Sequence, residues 1–214
     1  MTKNKSSSKT PGDFFLAGRK RVSHWRAFEP NLTPGGNTAP WKKAFKTSFQ
    51  ARLSYRYLKP ITTLQHGGTM AGEGFSIVAI QCSLIEFLES TLQGKSYVHG
   101  RVTNPQHEYS KSGAIFEAFL VNRPPFTREF NPALAHDFYE SVRCGVLHEA
   151  RTKNGWTISA KSKNGSIVEP NLKIVYRDNF QSALLDFVEW YKRELPIRRD
   201  LQEAFLRKFN SLCI

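Results

Sequence analysis

Arg143 and His148 are the residues of this chain whose types and spacing best suit chemistry. Arginine stays charged at physiological pH and presents a planar fork of donors that fits a phosphate, while histidine titrates near neutrality and can move a proton. Such a pair could cleave RNA without a metal ion. His148 would exchange a proton with the ribose 2′-hydroxyl or the 5′-oxygen, and Arg143 would stabilise charge on the phosphorane. The products would be a 2′,3′-cyclic phosphate and a 5′-hydroxyl end, and DNA would not be cleaved.

Both residues also have simpler interpretations. Arg143 could pair with Glu140 three positions before it, and His148 could interact with the carbonyl end of its own helix. Cys144, next to Arg143, could be an activated thiol or a small core residue.

A helix beginning at Asn131 and Pro132 is predicted to carry the pair, because asparagine is a good N-cap and proline suits the first helical position. On an unbroken helix, side chains five positions apart point about 140° away from each other. We therefore expect either that the helix loosens at Gly145 or that Arg143 and His148 of two chain copies combine across a twofold axis.

The segment Phe75 to Gln93 is predicted to form a strongly apolar helix that ends at Gly94. Gln81 falls inside its apolar arc, where a buried amide must be hydrogen-bonded, so it either fixes a neighbouring helix or lies at a polar cleft. Glu86 and Glu89 fall on the polar side, which is typical of a solvated face, although either could line an active cleft.

The remaining segments indicate a mainly α fold with one small β-hairpin after the Arg-x4-His helix. The hairpin is predicted from an alternating segment, a turn and a returning strand. The expected elements are a helix at Ala114 to Val121, strands at Trp156 to Ala160 and Leu172 to Tyr176 around the turn Lys163-Asn164-Gly165, a helix capped by Asp178 that ends before Pro196, and a last helix at Arg199 to Leu212.

Positive charge is concentrated at the N-terminus. Thirteen lysines and arginines lie within residues 1–60 against Asp13 and Glu29, so this segment holds most of the net charge of +13. Interleaved aromatic residues suit phosphate contact combined with base stacking. The predicted nucleic-acid-binding residues are Lys42, Lys43, Lys46, Arg52 and Arg56. A solvated basic tail that aids solubility is the alternative.

The polar, Lys/Ser-rich start and the Pro34-Gly35-Gly36 segment predict a basic, flexible arm over residues 1–40, followed by a single helical domain over 41–214. The three cysteines have no CxxC pairing and the histidines no metal-ligand spacing, so no metal site or cofactor is expected. No stretch resembles a membrane span, and a reducing cytoplasm fits the cysteine content best.

The segment Phe138 to Ala150, together with Asn154-Gly155-Trp156 and Asn179-Phe180-Gln181, resembles bacterial proteins of the HEPN superfamily. Their hallmark is Arg-x4-6-His near the end of a helix in an all-helical bundle. The resemblance covers roughly residues 70–195. It implies a HEPN-like helical bundle in which Arg143 and His148 are the catalytic pair.

The same resemblance implies a homodimer that acts as a metal-independent endoribonuclease on RNA, in a toxin–antitoxin or phage-defence setting with an antitoxin or defence-system partner. Glu86, Glu140 and Cys144 are the expected supporting residues. Members of the superfamily often have Asn, Asp or His directly after the arginine, where this chain has Cys144. Because some members bind nucleotides or serve as scaffolds, a non-catalytic nucleic-acid- or nucleotide-binding module is the alternative.

Overall fold

The computed structural model describes residues 12–67 and 72–214, and the expectation of loop or disorder in the Lys/Ser-rich start lies outside them. The chain is mainly helical, as predicted, with 62% helix and 9% strand. The helices are α1 (Val22–Phe28), α2 (residues 38–67, the basic helix), α3 (Glu73–Gln93), α4 (Ser112–Asn122), α5 (residues 132–149, the motif helix), α6 (Arg177–Glu194) and α7 (Arg199–Ser211). Short 3-10 turns occupy Glu29–Asn31 and Phe126–Arg128.

Helix α3 is the central element and packs against the basic helix, α4, the motif helix, α6 and α7. It ends at Gly94, as predicted, where φ is +63°. A Cβ at Gly94 would also lie 2.8 Å from the Cα of Ala204 in α7, so glycine is required for both the turn and the packing. Gln81 is fully buried and donates to the carbonyl of Arg177 at 2.8 Å, which ties α3 to the start of α6.

The apolar composition of α3 is explained by this central position. The helix is long and apolar enough to cross a membrane, contrary to the expectation from the sequence. However, 67% of its most apolar window is buried inside the protein. Such burial is typical of the core helix of a soluble protein, and the fold is compatible with one.

The prediction of a flexible arm extending to residue 40 is wrong for residues 12–40. Strands β1 (Phe15–Ala17) and β2 (Lys20–Arg21) form an antiparallel pair that leads into α1. Trp25 of α1 is only 3% exposed, packs against Phe209 of α7 with the two rings tilted, and donates to Asn210 at 2.7 Å. This segment is therefore part of the core that the C-terminal helix completes.

The predicted β-hairpin is also wrong in its pairing. Strand β5 (Thr157–Ser159) pairs in parallel with β7 (Ile174–Tyr176), and β6 (Val168–Glu169) pairs antiparallel with the other edge of β7. The predicted turn therefore leads into β6, and the order of the small sheet is β5-β7-β6. A further short parallel pair joins β3 (Ser96–Tyr97) and β4 (Glu108–Tyr109) between α3 and α4.

Helix α6 begins at Arg177, one residue before the predicted cap Asp178. Asp178 therefore lies in the first turn, and Tyr176 occupies the cap position. Its end at Glu194, before Pro196, agrees with the prediction.

Candidate active site

The motif helix brings Arg143 and His148 of one chain together. Asn131 caps the helix as predicted, accepting a hydrogen bond from the backbone N–H of Leu134 at 2.9 Å. A guanidinium nitrogen of Arg143 lies 3.4 Å from Nε2 of His148. Arginine can only donate a hydrogen bond, so Nε2 of His148 is the acceptor in this contact. Arg143 is half-buried and His148 is exposed, so the pair faces solvent.

A π-helical turn occupies Tyr139–Arg143, immediately before the pair. There the backbone N–H of Cys144 bonds to the carbonyl of Tyr139, five residues back, so the turn is wider than an α-helical one. The expected loosening at Gly145 does not occur, because Cys144–Glu149 is α-helical. The two side chains nevertheless meet within one chain, so no second copy is needed to bring them into contact.

Gly145 allows the segment after the motif helix to fold back tightly against it. A Cβ at this position would lie 2.5 Å from the carbonyl oxygen of Arg151. The returning segment is also held by the backbone N–H of Lys153, which donates to the carbonyl of Ser141 at 2.8 Å. Ala150, with φ of +52°, makes the reversal at the helix end.

Glu86 of α3 and Tyr139 hold the guanidinium of Arg143 between them. Arg143 donates to Glu86 at 3.2 Å, and the side chains of the two residues are 13% and 19% exposed. The guanidinium carbon also lies 5.3 Å from the centre of the Tyr139 ring, within cation–π distance. The structure thus brings Glu86 into the predicted cluster as the partner of Arg143.

Tyr109 and Ser112 hold Glu86 and Tyr139 in place by hydrogen bonds. Tyr109 donates to the free oxygen of Glu86 at 3.1 Å, and burial, followed by the charge of Glu86, raises the pKa of Tyr109. Ser112 and Tyr139 share a hydrogen bond of 2.9 Å, and burial raises the pKa of Tyr139. Both phenols therefore stay protonated at neutral pH, where they act as fixed neutral groups.

The other two predicted supporting residues lie differently. Glu140 is exposed and contacts His136 at 3.5 Å, so Arg143 takes Glu86 as its carboxylate partner in place of Glu140. Cys144 is half-buried next to the pair. Beneath it, Cys82 is fully buried, and this burial raises the pKa of its thiol to about 12, so that the thiol stays protonated.

A partly buried network of hydrogen bonds stabilises the end of the motif helix. Asp137 accepts from Ser141 at 2.7 Å and from the indole of Trp156 at 3.0 Å, and Asn154 donates to Ser141 at 2.9 Å. These bonds tie the segment between the helix and β5 to the turn that carries Arg143. Hydrogen bonds from Ser141 and Trp156 hold the pKa of Asp137 below its usual value although burial acts in the opposite direction.

The predicted nucleic-acid-binding residues divide into two groups. Lys42, Lys43 and Lys46 are exposed on the basic helix. Arg52 instead donates to the carbonyl of Leu16 at 2.6 Å, and its burial lowers its pKa to about 10. Arg56 donates to the carbonyl of Phe15 at 2.9 Å, so both arginines hold strand β1 against the basic helix.

Of the nine aromatic residues interleaved with this charge, four are structural, whereas Phe14, Phe15 and Tyr55 are exposed. Trp25, Trp41, Phe45 and Phe49 are at most 3% exposed and belong to the core. These four side chains therefore cannot stack with nucleic-acid bases.

Tyr139, Tyr109, Ser112 and Asp137 were not identified as site residues from the sequence. Tyr139 precedes Arg143 by four positions, a spacing that places side chains together on a helix and could have revealed it. Tyr109 and Ser112 come from elements distant in the chain, and no local pattern indicates them.

Within residues 12–67 and 72–214, no group of three or more His, Cys, Asp or Glu side chains is placed to hold a metal ion. No protein-family model, curated protein or solved structure matches the chain. The site is therefore described by its own geometry: an arginine anchored by a partly buried carboxylate beside an exposed imidazole.

Proposed function

We propose that the protein is a metal-independent endoribonuclease of the HEPN type that cleaves RNA to 2′,3′-cyclic phosphate and 5′-hydroxyl ends. The observation that carries this proposal is the 3.4 Å contact between Arg143 and His148 within one chain. One cationic donor and one solvent-exposed titratable base, side by side, are the groups that transesterification of RNA uses.

In the proposed reaction, Arg143 binds a non-bridging oxygen of the scissile phosphate and stabilises the charge that develops there. Nε2 of His148 removes the proton of the 2′-hydroxyl, whose oxygen attacks the phosphorus and displaces the 5′-oxygen. A protonated His148 or a water molecule supplies the proton that the leaving oxygen needs. Glu86 is a positioning residue, because it holds the guanidinium without extending to the substrate.

The test is cleavage of a labelled structured RNA in EDTA, with mapping of the fragment ends. We expect His148→Ala to slow cleavage by about 10²–10⁴-fold and Arg143→Ala by about 10²–10³-fold. His136→Ala and Arg151→Ala are matched controls, because both residues are exposed and lie on or just after the motif helix. Equal activity of His148→Ala and His136→Ala would refute the assignment of His148.

A binding module without catalysis is the second candidate, favoured by the exposed lysines 42, 43 and 46 of the basic helix. RNA would then bind but stay intact, and Lys42→Glu and Lys46→Glu would weaken binding while Arg143→Ala would not. Charge reversals are preferable to deletion of residues 1–60, because Trp25 and Trp41 of that segment belong to the core.

A homodimer, a cytoplasmic location and a regulatory partner in a toxin–antitoxin or defence system complete the proposal. The dimer and the partner rest on the HEPN resemblance, and the location rests on the cysteine content. Sedimentation equilibrium tests the dimer: a single species at the monomer mass of 24.4 kDa would contradict it.

A further inference from the structure

A groove separate from the Arg/His pair lies between the basic helix and the C-terminal end of α6. Its volume is about 790 Å³, and its lining includes Lys42, Lys46, Lys192, Arg193, Phe45 and Ile197. The size falls within the range of about 300–1,000 Å³ that is typical of small-molecule sites.

The groove combines four cationic side chains with no acidic residue in its lining. Within the described residues, Lys42, Lys46 and Arg193 have no ion-pair partner, and Lys192 pairs only with Glu189, at 2.9 Å on the surface. Lys192 and Arg193 lie in the last turn of α6, where cations complement the helix dipole. Lys42 and Lys46 have no such explanation, because the basic helix continues beyond them to Gly67.

The floor and rim of the groove are apolar. Phe45 is buried beneath it, and Ile197 is 68% exposed at its edge. Thr38 and Gln50 add a hydroxyl and an amide to the lining. A ligand that covers Ile197 while placing negative charge among the four cations would match both parts of this surface.

We propose that this groove binds a nucleotide, with the phosphates held by the lysines and Arg193 and the base covering the exposed side chain of Ile197. Lysine and arginine recognise phosphate by charge and hydrogen bonding. The amide of Gln50 and the hydroxyl of Thr38 can bond sugar or base edges. The inference is independent of the Arg/His ribonuclease, since neither Arg143 nor His148 lines the groove.

The test is displacement of a fluorescent ADP derivative from the full chain by unlabelled ADP, by pyrophosphate and by a short RNA. We expect ADP to compete at micromolar concentration and pyrophosphate far more weakly. Lys46→Glu/Arg193→Glu and Ile197→Asp should each weaken ADP binding on the order of tenfold or more. The control Lys161→Glu/Lys163→Glu makes the same charge change at exposed sites elsewhere and should bind like the wild type, as should Arg143→Ala.

The absence of ADP competition up to about 1 mM would overturn the proposal. So would equal binding by the groove variants and the control, since the contact would then be non-specific. Equal competition by pyrophosphate would show a site for anions alone, and stronger competition by RNA would show a strand-binding surface. Circular dichroism of each variant ensures that lost binding does not reflect an unfolded chain.

Discussion

Replacing Gly145 with alanine tests whether the close return of the chain after the motif helix shapes the site. A glycine-to-alanine change in a helix normally stabilises by up to about 1 kcal/mol. At Gly145 the new Cβ would lie 2.5 Å from the carbonyl oxygen of Arg151 and 3.3 Å from the Cα of Thr152. Backbone atoms cannot rotate away as a side chain does, so the segment must shift.

Overpacking of this kind costs about 1–3 kcal/mol, which exceeds the helical gain. We therefore expect Gly145→Ala to lower the free energy of unfolding by roughly 1–2 kcal/mol. The shift would also weaken the bond from Lys153 to the carbonyl of Ser141 and displace His148. Cleavage of RNA should fall even at temperatures where the variant remains folded.

Gly67→Ala is the matched control, because a Cβ at that helical position meets no atom of residues 12–67 and 72–214 within 4 Å. Urea denaturation followed by tryptophan fluorescence would measure both variants, with the midpoint compared at constant slope. If the two variants had the same midpoint, or if Gly145→Ala were the more stable, the argument from the backbone contact would be refuted.

Two further predictions concern buried charges. Arg123→Met should lower the free energy of unfolding by about 3–5 kcal/mol, because it leaves the carboxylate of Glu89 buried without its two 2.8 Å bonds. Arg199 forms its ion pair at the surface, so Arg199→Met should cost less than about 1 kcal/mol. Equal losses of stability for the two variants in urea denaturation would contradict this. Burial lowers the pKa of Lys208 from 10.5 to about 8, so the unfolded state binds the proton more tightly and stability rises with pH between these values. The free energy of unfolding of the wild type relative to that of Lys208→Met should therefore rise by about 2 kcal/mol from pH 7.5 to 10, and a pH-independent difference would exclude this effect.

Local signals in the sequence predicted the helices well. Asn131 followed by proline and the single Gly94 mark helix ends through backbone chemistry that needs no tertiary contact. The same reasoning failed for the small sheet, because alternation indicates a strand but does not identify its neighbour or direction. Ile174 pairs with Thr157 in parallel, and the intervening β6 takes the antiparallel edge.

Long-range contacts explain the other differences. Glu89 was placed on a solvated face by its helical angle, yet it is fully buried because Arg123, on another element, neutralises it. In the segment around Trp25, apolar residues are interspersed with basic ones, so its charge suggested an arm, and its burial depends on α7 at the opposite end of the chain. For the candidate site, the sequence indicated Arg143, His148 and Glu86. It did not indicate that Glu86, and not Glu140, holds the arginine.

The π turn of the motif helix contains one residue more than an α-helical turn, so the α-helical segments on its two sides stay nearly in phase. In an α-helix each residue advances the direction of a side chain by about 100°. Loss of one residue between Tyr139 and Arg143 would therefore restore a regular α-helix and leave Phe138 facing the core. Loss of one residue between Arg143 and His148, where the helix is regular, would rotate the two side chains by about 100° relative to each other. The number of residues between Arg143 and His148 is therefore as much a property of the site as the identity of its side chains.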